Sequence, residues 1–318
     1  MRARDWAQLL LLSVLWGGAF YFYKVLDDAG LPPLSIVLGR VGIAALALIP
    51  VVRLGGYRFP KRLSEWMPYF VMGVGNNIVP FLLISWGETQ ITSGLASILN
   101  ATTPIFTAIV AHFATKDERF SAGKLTGIAL GFAGIVVLVG PDTARGLNLT
   151  SVAQLGCLGA TISYALAVVY SKRFRGTSPL VVSTGQLIAS AVLLLPIELI
   201  VDKPWTFAPL GTGTWLALLA MALLGTSAAY ILYFSLVASA GAVNASLVTL
   251  LIPVIALVLG GLFLHEHLTL LMLAGMALIF AGLVLLNRQQ ASVNRHDRAV
   301  DVSRRIGDKE KRQARNLA

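Results

Sequence analysis

The sequence predicts an all-α integral membrane protein with ten transmembrane helices arranged as two inverted five-helix repeats. Three observations predict it: an apolar composition spread over nearly the whole chain, basic residues confined to alternate loops, and a self-similarity between the two halves. Of 318 residues, 56% are hydrophobic and 13% charged, and the mean hydropathy is +0.77. Soluble domains carry about a quarter charged residues, so most of this chain must meet a solvent that accepts apolar surface. About 30 Å of hydrocarbon crossed at ~1.5 Å per residue requires roughly 20 apolar residues. Segments 7–25, 34–52, 66–86, 92–114, 123–140, 152–172, 179–200, 214–236, 242–264 and 268–287 meet that need. They divide the chain into a first five-helix unit at 1–147, a second at 148–287, and a basic tail at 288–318 that is expected to be disordered.

The net charge of +10 raises the question of nucleic acid, but its placement answers it. Arg2, Arg4, Arg53, Arg58, Lys61, Arg62, Lys116, Arg119, Lys124, Lys172, Arg173, Arg175 and the tail place 21 basic residues on one face. Only Lys24, Arg145 and Lys203 fall on the other, and Arg40 lies within a span. Basic residues collect on the cytoplasmic side of a membrane. This predicts a multi-pass inner-membrane protein with both termini cytoplasmic, a lipid bilayer as its surroundings and no nucleic-acid partner. Cys157, the single cysteine, lies inside a span and cannot form an intramolecular disulfide. The N-terminal apolar run continues through Trp16 to Lys24 without a clean cleavage site, so it reads as a retained first helix.

The repeat is clearest where the fourth and fifth spans match the ninth and tenth. Pro104 pairs with Pro253, Glu118 with Glu266, Gly127 with Gly275, and Phe132-Ala133-Gly134 with Phe280-Ala281-Gly282, at offsets of 148–149. Further back, Trp16 aligns with Tyr164 and Lys24 with Lys172, while Pro33, Gly39, Arg40 and Pro50 align with Pro179, Gly185, Gln186 and Pro196. Five spans is an odd number, so the second unit must enter the membrane from the opposite side.

The stretches LWGGAFYFYK (15–24), VLGRVGIAALAL (37–48), ASILNATTPIFTAIVA (96–111) and KLTGIALGFAGIVVLVG (124–140) resemble the EamA branch of the drug/metabolite transporter superfamily. So do GTSAAYILYFSLVASAGAVNASLVTLLIPVIALVLGGLFLHE and AGMALIFAGLVLL in the last three spans, and the similarity covers residues 7–287. The resemblance implies ten helices in two repeats around a central cavity, alternating access, and a small metabolite such as an amino acid or a related compound as substrate, often exported. It does not name the substrate, the coupling or the direction.

Polar groups near span centres mark the candidate site, because an unpaired polar group in hydrocarbon costs several kcal/mol and must face protein or water. Asn76, Asn77, Asn100, Thr102, Thr103, Thr161, Ser163, Tyr164, Thr226, Tyr230 and Thr249 are so placed. Proline leaves the carbonyl four residues earlier without its helical donor. Pro80, Pro104 and Pro253 therefore free the carbonyls of Asn76, Asn100 and Thr249, as in the broken helices with which many carriers bind solutes. The plainer alternative is kinked helices held by interhelical hydrogen bonds. Trp16 and Tyr164, both central, either wall the site or pack between helices. Arg40 either snorkels outward or binds a substrate carboxylate, and its repeat mate Gln186 is neutral.

No acidic residue is central in a span, and Glu88 and Glu198 lie near helix ends. That disfavours proton-coupled export of organic cations, which calls for a buried carboxylate relay, and leaves His112 as a less obvious proton carrier. Gly123, Gly127 and Gly131 form a small-residue ridge for close contact with a neighbouring helix or a second protomer, so a monomer and a homodimer both stand. An enzyme is not expected: His265-Glu266-His267 lacks metalloprotease spacing, no phosphate-binding loop is present, and no metal or other cofactor is predicted. A non-transporting scaffold or sensor is the alternative to a carrier.

Overall fold

The structure is a computed structural model that describes residues 2–114, 122–144, 148–207, 209–240, 245 and 247–285. Among the described residues the only regular elements are helices. Helix α1 is Ala3–Asp28, α2 is Pro33–Leu54, and α3 is Leu63–Glu88, which contains a π turn at Val74–Ile78. Helix α4 comes in two pieces, Ser93–Asn100 and Thr103–Ala114; α5 is Ala122–Ala144, α6 is Leu149–Tyr170, and α7 is Pro179–Val201. Helix α8 comprises Thr212–Ala222, a second π turn at Leu223–Ala228, and Ala229–Ala240. Helix α9 is Val248–Phe263 and α10 is Leu270–Leu285.

Seven of these helices are long and apolar enough to cross a membrane: α1, α2, α3, α4, α6, α7 and α8. The expectation of ten full-length spans is met only in part. The apolar stretches Leu125–Leu138 of α5, Val248–Phe263 of α9 and Leu270–Leu285 of α10 are shorter. Residues 242–244, 246, 286 and 287 of the expected ninth and tenth spans lie outside the described residues. Glu118, the expected mate of Glu266, and the tail from Arg288 lie outside the described residues.

Local chemistry sets the helix ends. Pro33 opens α2, where its missing N–H costs nothing, and Gly56 takes φ +77° just beyond the end. Asn148 accepts from the Ser151 amide at 2.9 Å and caps α6. His265 adopts φ 55° after α9, which lets the Glu266 amide donate back to the Gly260 carbonyl at 3.1 Å. That turn aims the Glu266 carboxylate at the start of α4, where Oε1 accepts from the Ser93 amide (2.7 Å) and Oε2 from the Gly94 amide (3.1 Å). A carboxylate at a helix N-terminus satisfies orphan amides and complements the helix dipole. The same device serves α2: Asp202 accepts from the Ser35 amide (3.1 Å) and hydroxyl (2.7 Å), and Glu198 accepts from the hydroxyl at 3.2 Å.

Helix α2 packs along α7, α1 along α9, and both α3 and α4 along α6. The core between them is built from Leu12, Leu26, Ile36, Leu48, Ile98, Leu187 and Met221, all wholly buried or nearly so. The outer surface is apolar as well, with Leu46, Val136, Leu166, Val192, Leu216 and Ile200 exposed. Greasy inside and out is the pattern of a chain whose solvent is lipid. The glycine ridge of α5 meets α10 of the same chain: a Cβ on Gly134 would lie 2.8 Å from the Gly275 carbonyl, and one on Gly282 would lie 2.6 Å from the Gly127 carbonyl. Gly131 faces Ile105 of α4. Of the two partners left open for this ridge, the neighbour within the bundle is the one observed.

Candidate substrate cavity

A cavity of about 520 Å³ occupies the middle of the bundle. Its walls bring together nine of the fourteen side chains selected from the sequence: Trp16, Arg40, Asn76, Asn100, Thr103, Tyr164, Gln186, Tyr230 and Thr249. Asn77 and Thr226 are buried beside it rather than in its wall. Asn77 donates to the Ser190 hydroxyl at 3.0 Å and so links α3 to α7. Thr226 accepts from Arg40 Nε at 2.9 Å. Thr102 and Thr161, also wholly buried, turn their hydroxyls back onto the carbonyls of Leu99 and Leu158. Ser163 donates to the Gly75 carbonyl at 2.7 Å and links α6 to the π turn of α3.

The prolines act in three different ways. Before Pro104 the chain leaves the helix at Ala101–Thr102, and Pro104 is the second residue of the next piece of α4; the Thr103 hydroxyl donates to the Asn100 carbonyl at 2.7 Å. Pro80 follows directly on the π turn that carries Asn76 and Asn77, and the helix continues. Pro253 lies inside the unbroken α9.

Arg40 does not snorkel. Its side chain is 6% exposed, and Nη1 donates to the Tyr23 hydroxyl at 2.7 Å while Nε donates to Thr226. The guanidinium carbon lies 3.9 Å from the centre of the Phe81 ring and 5.3 Å from that of Tyr23. A planar, weakly hydrated cation stacks on aromatic faces readily, and these contacts hold Arg40 inward. At the corresponding place on α7, Gln186 Oε1 accepts from Asn76 Nδ2 at 3.2 Å. One crossing is thus made twice. Arg40 and Ala44 of α2 meet Thr226 and Ser227 in the π turn of α8, and Gln186 and Ser190 of α7 meet Asn76 and Asn77 in that of α3. Wide π turns bring extra backbone and side-chain groups to one level, and they cluster at functional sites.

Several lining residues escaped the sequence reading: Phe20 and Tyr23 of α1, Phe81 of α3, and Tyr233 and Phe234 of α8. The signal for them was helical spacing. Trp16, Phe20 and Tyr23 fall on one face of α1, as Tyr230, Tyr233 and Phe234 do on α8. Trp16 and Tyr233 face each other with ring centres 5.4 Å apart.

The cavity runs from this level to Ser171, Phe174, Thr177 and Pro179, at the connection that carries the basic residues Lys172, Arg173 and Arg175. A surface groove of about 570 Å³, lined among others by Arg58, Lys61 and Arg62, adjoins its mouth at Thr177. Among the described residues, the lining includes none from the connections at the other end of the bundle. That end holds the Glu266 and Asp202–Glu198 carboxylate caps. Glu88 is wholly buried there, one turn beyond Ile84 of the cavity wall.

These features define a class: a multi-pass, all-helical membrane protein with a solute-sized central cavity that reaches one face. The model of the EamA-like transporter family matches residues 6–140 and 151–288, and the chain belongs to that family. It is 30% identical over 285 residues to the uncharacterized transporter YvbV of Bacillus subtilis, covering 88% of this chain and 90% of that one. To a probable amino-acid metabolite efflux pump of Escherichia coli it is 28% identical over 302 residues, covering 90% and 95%. A crystal structure superposes with a TM-score of 0.63 at 19% identity, covering 91% of this chain and 99% of the other, a likeness of fold.

Proposed function

We propose that this protein is a secondary carrier of the inner membrane that exports a small metabolite, such as an amino acid or a related compound, by alternating access around the central cavity. The observation that carries the reading is a cavity walled by polar groups from helices of both halves and, among the described residues, continuous with one face. Its volume suits a solute, since small-molecule sites occupy about 300–1,000 Å³. The basic connections at its mouth make that face the cytoplasmic one, so the conformation is inward-facing with both termini inside. Nine of the fourteen residues selected from the sequence would touch or approach the solute there.

The arrangement as two inverted five-helix repeats, 1–147 and 148–287, is supported by the two separate matches to the family model and by the π turns that begin at Val74 and Leu223. The reciprocal crossings of α2 with α8 and of α7 with α3 support it too. Export is favoured by the efflux pump among the relatives. A non-enzymatic role fits relatives that are named as transporters.

The test is solute flux. Purified protein in liposomes is loaded with a panel of labelled amino acids and related metabolites, and counterflow is measured against protein-free vesicles. Saturable flux of at least one compound is expected, and it should fall in Trp16→Ala. A folded protein that moves none of them supports a scaffold or sensor instead.

A further inference from the structure

Among the described residues, Arg40 is a buried cation with no carboxylate at ion-pair distance. Its guanidinium has five N–H donors, of which Nε and one on Nη1 are taken by the neutral oxygens of Thr226 and Tyr23. Among the described residues the ion pairs are Arg2–Asp5, Lys24–Asp27 and Lys24–Asp28, and none involves Arg40. Glu88, on the face of α3 that carries Phe81 and Ile84, makes no ion pair with it. Among the described residues, the lining of the cavity contains Arg40 and no Asp or Glu, so the formal charge they present is positive. Withdrawing a charge from water without a partner costs several kcal/mol. A ligand that supplies the anion relieves that cost, and the guanidinium fork matches a carboxylate.

The rest of the wall describes the remainder of the ligand. Trp16, Phe81, Tyr164, Tyr230 and Tyr233 contribute aromatic rings to the wall, and the polar pair Asn76–Gln186 is neutral. Resting on the carrier reading above, we infer that the substrate bears a carboxylate, held by Arg40, on an aromatic or branched apolar body, and that a compound whose only charge is an ammonium is refused. The basic groove at the mouth, with Arg58, Lys61 and Arg62, gathers anions at the entrance.

Three probes of one shape separate the charges: 3-phenylpropionate, phenylalanine and phenethylamine. Each is titrated into the purified full-length protein in detergent, with binding read by tryptophan fluorescence and by the rise in apparent melting temperature. The two carboxylates should bind and compete with each other, and the amine should bind about tenfold more weakly or not at all. Arg40→Gln should weaken both carboxylates about tenfold or more without strengthening the amine, and Arg40→Lys should fall between. The inference is overturned if phenethylamine binds as well as 3-phenylpropionate, if neither carboxylate binds at high millimolar concentration, or if folded Arg40→Gln binds them unchanged. Should Arg40→Gln not fold, the three probes on the wild-type protein decide. Flux of the same probes in liposomes is scored separately. Carboxylate binding without flux upholds the ligand class and overturns the carrier, whereas flux of the amine without carboxylate binding does the reverse.

Discussion

Replacing Gly282 by alanine probes a backbone-to-backbone helix contact with one carbon atom. A Cβ at that position would lie 2.6 Å from the Gly127 carbonyl oxygen, 2.8 Å from the Gly131 nitrogen and 3.2 Å from the Gly131 Cα. All three are backbone atoms, so no rotamer change relieves the overlap. Restoring an ordinary contact of 3.4 Å from 2.6 Å requires α5 and α10 to part locally by about 0.8 Å. A gap of that size forfeits about a quarter to a half of the dispersion energy of each atom pair along the seam, including the neighbouring contact of Gly134 with Gly275. Overpacking of this kind costs about 1–3 kcal/mol. Helix propensity works the other way by ~1 kcal/mol for Gly→Ala, which sets a useful control. Gly18→Ala would place its Cβ 3.8 Å from Leu259 and 4.0 Å from Phe22, with nothing to displace. Apparent melting temperatures in mild detergent should therefore fall for Gly282→Ala and hold or rise for Gly18→Ala. Equal melting temperatures for the two variants would refute the reasoning.

The adjacent asparagines divide binding from folding. Asn76→Ala, in the cavity wall, should cut substrate affinity roughly fivefold at near-normal stability. Asn77→Ala should lose ~0.6–2 kcal/mol of stability through its bond to Ser190 and keep flux per folded molecule; the opposite assignment in thermal-shift and counterflow assays would sink it. Glu266→Gln removes the charge that caps α4 and should lower stability by about 1–2 kcal/mol, checked by the same melting assay. For orientation, cysteines at Asp28 and Lys203 should react with impermeant thiol reagents in intact cells, whereas those at Arg58 and Arg175 should not. The native Cys157 is buried and adds no background, and labelling at Arg58 from outside would reverse the topology.

The length of the apolar runs and the composition made the helices legible, because a residue's need for lipid is a property of the segment that carries it. The cavity was legible to the same degree at Asn76, Asn100 and Thr103, which have few tolerable places in a bilayer other than a polar interior. What sequence could not separate was Asn76 from Asn77. They are neighbours of the same type, and which one faces the cavity depends on the phase of a π turn that hydropathy does not register. Arg40 was ambiguous for a related reason. Its depth allowed snorkelling, and only the arrival of Tyr23, Phe81 and Thr226 from three other helices holds it inward. The burial of Glu88 likewise depends on how the outer end of the bundle closes, which its place at the end of a span did not reveal.

The two π turns have a consequence for how this chain tolerates change in length. A π turn holds one residue more than the helix around it requires, and each residue of a regular helix accounts for about 100° of rotation. Deleting a residue from Val74–Ile78 or from Leu223–Ala228 therefore need not break the helix, since the surplus can be absorbed into an ordinary turn. What survives is phase. The surplus residue adds length within one turn and no rotation beyond it, so Phe81 and Ile84, or Tyr230 and Tyr233, would stay on the cavity wall. The same deletion in a regular stretch of either helix would rotate everything beyond it by about 100°. A chain edited at the π turn would keep its hydropathy profile, its helices and most of its cavity wall, and would alter only the crossing that the turn carries, through Asn76 and Asn77 in one helix and Thr226 and Ser227 in the other. In these two helices the surplus residue marks the place where length can vary without turning the rod.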